Sequence, residues 1–264
     1  MLSIHDYTGH ELPYAERYRL IAQAGFDAVL MWYGDDYGAE FRETNRPAQA
    51  RSQGLFIENV HAPFDEVNHL WEDTPDSQRV FAGYLQCLED CARYEIPTVV
   101  MHADRSPEPP PTSEIGLARW TKLVAQAEQF GVNIAIENMR FAPQIDKTEL
   151  LLEHFNSPRL GFCFDSGHWQ ARRRNFDWLD RWPGRLMALH LHDNDHENDL
   201  HLLPFDGTVD WLPLMRQIAN TGYAGPTTLE VARKTSDYEH MTVEEYLAQA
   251  HACAMKLDQL RNQI

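Results

Sequence analysis

NIAIE (Asn133–Glu137), LGFCFD (Leu160–Asp165), LMALHLH (Leu186–His192) and PTTLE (Pro226–Glu230) are four short apolar runs, each closing on a carboxylate or an imidazole. Runs of this length, bounded by polar residues, read as buried strands. Helical patterns follow them at Lys147–Phe155, near Phe176–Arg181, at Trp211–Asn220 and at Val243–Leu260. The first half of the chain repeats the alternation. Strands are predicted at Leu2–His5, Phe26–Trp32, Leu55–His61 and Thr98–His102, with helices at Tyr14–Ala24, Pro47–Gln53, Ser77–Tyr94 and Glu114–Phe130. Such alternation implies βαβ units and a parallel sheet. Eight units in 264 residues predict an α/β chain folded as one closed (β/α)8 TIM barrel over residues 1–264, a fold that takes about 250 residues.

Gly25, Gly54, Gly131 and Gly222 stand at helix exits, as C-terminal caps require. An open, doubly wound sheet is the rival. It calls for a glycine-rich phosphate loop after the first strand, and HDYTGHE (His5–Glu11) is not one.

The balance of 40 acidic to 23 basic residues gives a net charge of −17. That field repels DNA and RNA, so a small polar substrate is favoured over a polyanion. No stretch approaches the roughly 18 apolar residues of a membrane span. The N-terminus lacks a basic segment followed by an apolar one, so a cytoplasmic protein without a membrane partner is expected. Cys87, Cys91, Cys163 and Cys253 include no C-x-x-C pair and read as reduced core thiols.

In a parallel barrel the C-terminal strand ends converge on one rim, where active sites sit. Glu137, Asp165, His192 and Glu230 would meet there, and this donor set suits a divalent ion such as Mn, Zn, Co or Mg. Three crowded carboxylates without a cation would be strongly unfavourable. The strands offer no basic partner, although Arg140 and Arg233 lie three residues past a glutamate and could pair with it. The first four strands end on His5, Trp32, His61 and His102. His168 can bend back to the rim, and Asp199 and His201 lie in the loop after the seventh strand. His190 shares the interior face with His192 one layer deeper, as a supporting residue. Arg172, Arg173 and Arg174 form a basic run that reads as a solvated helix face or an anion contact. Trp32, Tyr33, Phe64, Trp71 and Trp169 are candidates for a sugar-stacking wall.

HAPF (His61–Phe64), VMHA (Val100–Ala103), IAIEN (Ile134–Asn138), FDSGH (Phe164–His168), the stretch from His190 to Trp211 and TLEV (Thr228–Val231) follow one another strand by strand. In this order the motifs resemble the xylose isomerase-like barrel superfamily, which groups sugar isomerases and epimerases with endonuclease IV. The resemblance implies one divalent ion held by Glu137, Asp165, His192 and Glu230. It also implies that Glu137 and Glu230 are the catalytic proton-transfer pair, acting through a metal-stabilised enediolate. The expected activity is a metal-dependent isomerase or epimerase of a carbohydrate-like small molecule (a sugar, sugar phosphate, keto-sugar or related polyol acid), and the expected assembly includes a homo-oligomer.

Endonuclease IV suggests an alternative, because its three-metal ligand pattern is matched by His61, His102, Glu137, Asp165, His168, His192, Asp199, His201 and Glu230. That reading is a multi-metal hydrolase of a phosphate ester. His61, His102, His168, Asp199 and His201 are therefore second-metal or substrate-binding candidates. A lyase using the same site and a non-catalytic, metal-stabilised binding module complete the set. A Schiff-base aldolase is disfavoured, since no strand ends on lysine. Asn198 stands where some ketose epimerases carry an arginine, and Phe205-Asp206-Gly207 lacks the first glycine of the family's G-x-G loop. Leu160–His168 lacks the lysine of classical xylose isomerase, which favours proton transfer over a hydride shift.

Overall fold

The computed structural model describes residues 1–171, 177–233 and 238–263. Arg172, Arg173 and Arg174 lie outside the described residues, as does Phe176 at the start of the predicted short helix. Eight strands follow one another: β1 (Leu2–His5), β2 (Ala28–Trp32), β3 (Phe56–His61), β4 (Thr98–Met101), β5 (Asn133–Glu137), β6 (Leu160–Asp165), β7 (Leu186–His190) and β8 (Thr227–Leu229). They pair in parallel in the order β7-β6-β5-β4-β3-β2-β1-β8. A parallel bridge between Leu191 and Leu229 closes the ring. Leu191 N–H donates to the Thr228 carbonyl and Glu230 N–H to that of Leu191. The predicted (β/α)8 barrel is the observed fold.

Helices α1 (Tyr14–Gln23), α2 (Ala39–Glu43), α3 (Arg46–Ser52), α4 (Ser77–Arg93), α5 (Glu114–Phe130), α6 (Ala142–His154), α7 (Ser166–Gln170), α8 (Trp178–Arg181), α9 (Trp211–Asn220) and α10 (Val243–Asn262) connect the strands. No described helix is long and apolar enough to cross a membrane. Gly131, for example, takes φ +71° after α5, the left-handed turn that ends a helix at little steric cost. Helix α6 starts five residues earlier than its apolar pattern indicates. Pro143 is tolerated in the first turn, where its missing N–H leaves no intrahelical bond unmade.

Strands β4, β7 and β8 are shorter than predicted, so His102, His192 and Glu230 stand just beyond the ladder. The backbone there changes from paired strand to cavity rim.

Large apolar side chains pack between the barrel and its helices, including Trp120, Trp178, Phe162 and Leu189. Inside the ring, β4 to β7 contribute only the smaller Val100, Ala135, Cys163 and Ala188 to a second apolar cluster. Ser3, Glu58 and Thr228 are also buried, and Thr228 Oγ1 donates to Glu58 Oε1 at 2.5 Å. A register shift between β2 and β3 skips Glu58 in the pairing. Such a bulge re-aims a side chain. Burial pushes the Glu58 carboxyl above the usual range.

Candidate functional site

The C-terminal rim encloses a cavity of about 1080 Å³. His5, Trp32, His61 and His102, from the ends of the first four strands, all line it. So do Glu137, His168, Asp199, His201 and Glu230. Asp165, His190 and His192 are fully buried. The convergence expected at the strand ends is thus what the barrel builds.

Short backbone locks hold these side chains. Asn138, directly after Glu137, donates from Nδ2 to the Asp165 carbonyl and accepts the Asp165 N–H at 2.7 Å, tying the end of β5 to that of β6. Ser166 Oγ donates to the His192 carbonyl at 2.7 Å and accepts its N–H at 2.9 Å, tying β6 to the segment after β7. Gly167 is small for a reason: a Cβ there would stand 1.9 Å from His192 Cε1. The D-S-G-H sequence therefore supplies a carboxylate, a lock, a space and an imidazole in four consecutive residues. Sequence reasoning passed over Asn138 and Ser166, although both lie inside quoted motifs.

The side chains form one connected cluster. His61 Nε2 lies 3.1 Å from Glu137 Oε2, and His102 Nε2 lies 3.5 Å from the same oxygen. His168 Nδ1 is 2.9 Å from Glu137 Oε1, and its Nε2 is 3.1 Å from Asp199 Oδ2. His192 Nε2 faces both Asp165 oxygens, at 3.2 and 3.1 Å. His201 stacks on His192 with centroids 4.1 Å apart, and its Nδ1 reaches the Glu230 carbonyl at 2.8 Å. His190 does more than support from below. Its Nδ1 stands 3.2 Å from Oε2 of both Glu137 and Glu230.

Electrostatics explain the crowding. Burial opposes charge on Glu137 and Glu230, yet the imidazoles beside them hold both carboxyls well below the usual range, His102 and His190 for Glu137, His190 for Glu230. In return, against burial, Asp165 and Asp199 lift His168 well above the imidazole range, Cys163 with Glu230 and Glu137 does the same for His190, and Asp165 lifts His192 to about 9. His5 has less such help, and burial lowers it to about 4.

These groups fit a divalent ion. Among the described residues, every ion-pair partner of Glu137, Asp165 and Glu230 is a histidine. Arg140 instead approaches Asp199 at 3.9 Å, and Arg233 donates from Nε to the Tyr238 carbonyl. The arginine pairings considered for the two glutamates are not formed. One ligand atom from each of Glu137, Asp165, His190 and Glu230 lies within 4.8 Å of all the others, and His192, His201 and Glu230 form a second such group. Among the described residues, His190 Nε2, His192 Nδ1 and Asp199 Oδ1 are buried without a hydrogen-bond partner. Unmet buried donors and acceptors of this kind are rare unless an ion or water belongs there. Oxygen and imidazole donors suit Mn, Zn or Co, and Mg more weakly.

The aromatic wall is smaller than predicted. Trp32 and Phe64 line the cavity, and Phe64 stacks on His102 at 4.4 Å. Tyr33 is buried elsewhere, with its hydroxyl on Asp90. Trp71 is buried, donating to the Ala103 carbonyl, and Trp169 packs on Phe164. The two departures in the β7–α9 loop also resolve. Phe205 takes φ +79°, so the loop keeps a glycine-like backbone where the first glycine is missing. Asn198 is held in a surface turn by Asp195, away from the cavity lining.

A family model described as xylose isomerase-like TIM barrel matches residues 18–255. The chain belongs to this family. An uncharacterized protein of Sinorhizobium fredii, y4fM, is 33% identical over 98% of this chain and 94% of its own. Among solved structures, D-psicose 3-epimerase from Clostridium cellulolyticum H10 superposes with a TM-score of 0.77 at 14% identity, covering 98% of each chain. The IOLI protein, solved with a binding zinc atom, gives 0.76 at 16% identity over 100% of this chain and 99% of that one. Likeness at these identities shows the shared fold.

Proposed function

We propose that the chain is a divalent-metal-dependent isomerase or epimerase of a carbohydrate-like small molecule. Glu137, Asp165, His192 and Glu230 would hold the ion. His192 is preferred to His190 because it stands nearer the rim and faces both Asp165 oxygens. His190 then braces the two glutamates from below. The observation that carries the proposal is the meeting of buried Glu137 and partly exposed Glu230, from the ends of β5 and β8, with no lysine or arginine partner among the described residues. The epimerase fold neighbour and the zinc in IOLI support it.

A divalent ion would supply Lewis acidity, making the C–H beside a substrate carbonyl easier to ionise and offsetting enediolate charge. The proton itself belongs to the glutamates. If one carboxylate removes it and the other returns it on the opposite face, the carbon inverts. If a single carboxylate carries it to the neighbouring carbon, an aldose and a ketose interconvert. Trp32 and Phe64 offer apolar surface for a sugar ring.

The test uses a panel of ketoses and aldoses in D2O, followed by mass spectrometry. Chelation should stop turnover, and addition of Mn, Co or Zn should restore it. Glu137→Gln and Glu230→Gln should each block deuterium entry at a substrate carbon. Undiminished exchange in both variants contradicts the assignment.

A second reading has one specific observation in its favour: the His192–His201–Glu230 group offers room for a further ion. It predicts two or three metals per chain and hydrolysis of a phosphate ester. A count of one ion by elemental analysis argues against it.

A further inference from the structure

We infer that the cavity carries an anion subsite at its mouth, formed by Arg105 and Arg140, so that the substrate bears a carboxylate or phosphate remote from its reacting carbon. This rests on the proposed sugar chemistry for the reacting end, but the subsite itself can be tested by binding alone.

Arg105 follows β4 and Arg140 follows β5, so the two arginines come from adjacent loops of the rim, and both line the cavity. In a chain of net charge −17, Arg105 and Arg140 are two guanidiniums on one arc of the cavity mouth. Arg105 is held in place. Asn68 accepts its N–H at 2.8 Å and donates to its carbonyl at 2.6 Å, fixing the backbone from both sides. The guanidinium lies 4.8 Å from the centre of the Phe64 ring, and Phe64 in turn stacks on His102. A cation–π contact of this kind holds the guanidinium against the ring, and its N–H edge now meets Asp65.

The existing partners of the arginines are weak competitors. Asp65, which pairs with Arg105, has a side chain 64% exposed, and exposed pairs contribute about 0–1 kcal/mol. Arg140 reaches Asp199 only at 3.9 Å, and Asp199 is already committed to His168 at 3.1 Å. A fork-shaped carboxylate or phosphate would meet Arg140 more closely than Asp199 does, and a dianionic phosphate could draw Arg105 from the solvent-exposed Asp65. Helix α6 adds to the effect. It begins at Ala142, two residues past Arg140, and its positive end faces the same mouth, where Phe141 and Gln144 line the cavity. Size agrees as well. A cavity of about 1080 Å³ stands at the top of the roughly 300–1,000 Å³ range of small-molecule sites, more than an unadorned monosaccharide fills.

Calorimetry on the metal-loaded protein would compare D-tagatose with D-tagatose 6-phosphate, and D-glucose with D-gluconate. In the wild type the anionic member of at least one pair should bind about ten-fold or more tighter, with affinity falling as salt rises. In the Arg105→Gln/Arg140→Gln double variant that ratio should drop to within about two-fold, and Arg140→Lys should keep part of it. Both sites are on the surface, and a circular dichroism melt confirms folding. Equal affinities within both pairs, no binding by any anionic probe, or an advantage that survives in the double variant overturns the inference. The last result would place the anion on the metal instead. Deuterium exchange into a neutral sugar with no anion preference would leave the proposed reaction standing and remove only this subsite.

Discussion

Two groups of buried carboxylates in this barrel are neutralised differently. Beside the site, Asp6 accepts from Arg46 Nη2 at 2.5 Å and from the Tyr18 hydroxyl at 2.9 Å. Asp90 is held by Arg42, and Asp104 by Lys147 at 3.0 Å. Those partners are arginines and a lysine, which fix each acid once the chain folds. Among the described residues, Glu137, Asp165 and Glu230 have imidazoles only. An imidazole can give up its proton to make room for a metal, whereas a guanidinium cannot. The fixed pairs belong to the scaffold, and the exchangeable ones to the chemistry.

The largest effect should fall on catalysis. Glu137→Gln and Glu230→Gln remove a proton carrier each, and kcat should fall by roughly 10²–10⁴-fold while the fold is retained by circular dichroism. The scaffold pair should respond the other way. Arg46→Ala strands the Asp6 carboxylate, whose side chain is 0% exposed. Loss of a buried partner costs about 3–5 kcal/mol, so urea unfolding should show that destabilisation, with metal affinity per folded molecule unchanged.

Metal itself should stabilise the protein. At about a hundred-fold excess over Kd the gain is about 2.7 kcal/mol, which calorimetry would read as a rise in Tm of roughly 5–10 °C. The ion would bind away from the Asp6–Arg46 pair, so the same metal should leave the Arg46→Ala deficit in place. The pH dependence separates the regions further. His192 is lifted to about 9, burial being outweighed by Asp165. A raised imidazole stabilises the metal-free fold fully below the unfolded value of about 6.5, and that contribution is lost as pH rises through about 9. Metal affinity runs in the opposite sense, increasing with pH over the same window as the ion displaces the proton. Titrations at pH values of about 6, 7.5 and 9 would show both slopes. The smallest effect concerns space. Gly167→Ala would push buried His192 off its position, weakening metal affinity and lowering Tm, since overpacking costs about 1–3 kcal/mol.

Much of this was legible in the chain. Strand-end residues from His5 to Glu230 reach one rim because a closed parallel sheet leaves their side chains nowhere else to converge. What periodicity could not give was depth and direction. Tyr33 and Trp71 sit next to rim segments in sequence, yet they turn into the packing behind the barrel, where their polar atoms find Asp90 and the Ala103 carbonyl. His190 has the same strand face as His192, and only the approach of Glu137 and Glu230 shows that it bridges them. Arg140, three residues past Glu137, was a candidate partner by spacing, but the turn after β5 carries it outward to the cavity mouth. The bulge that turns Glu58 inward has no local signature at all.

The central claim is that a divalent cation sits among Glu137, Asp165, His192 and Glu230. Anomalous diffraction from crystals grown with Mn²⁺ tests it directly. The account expects one strong peak about 2.0–2.5 Å from an oxygen of each carboxylate and in bonding contact with His192. A peak bonded elsewhere, or none at saturating manganese, would contradict it.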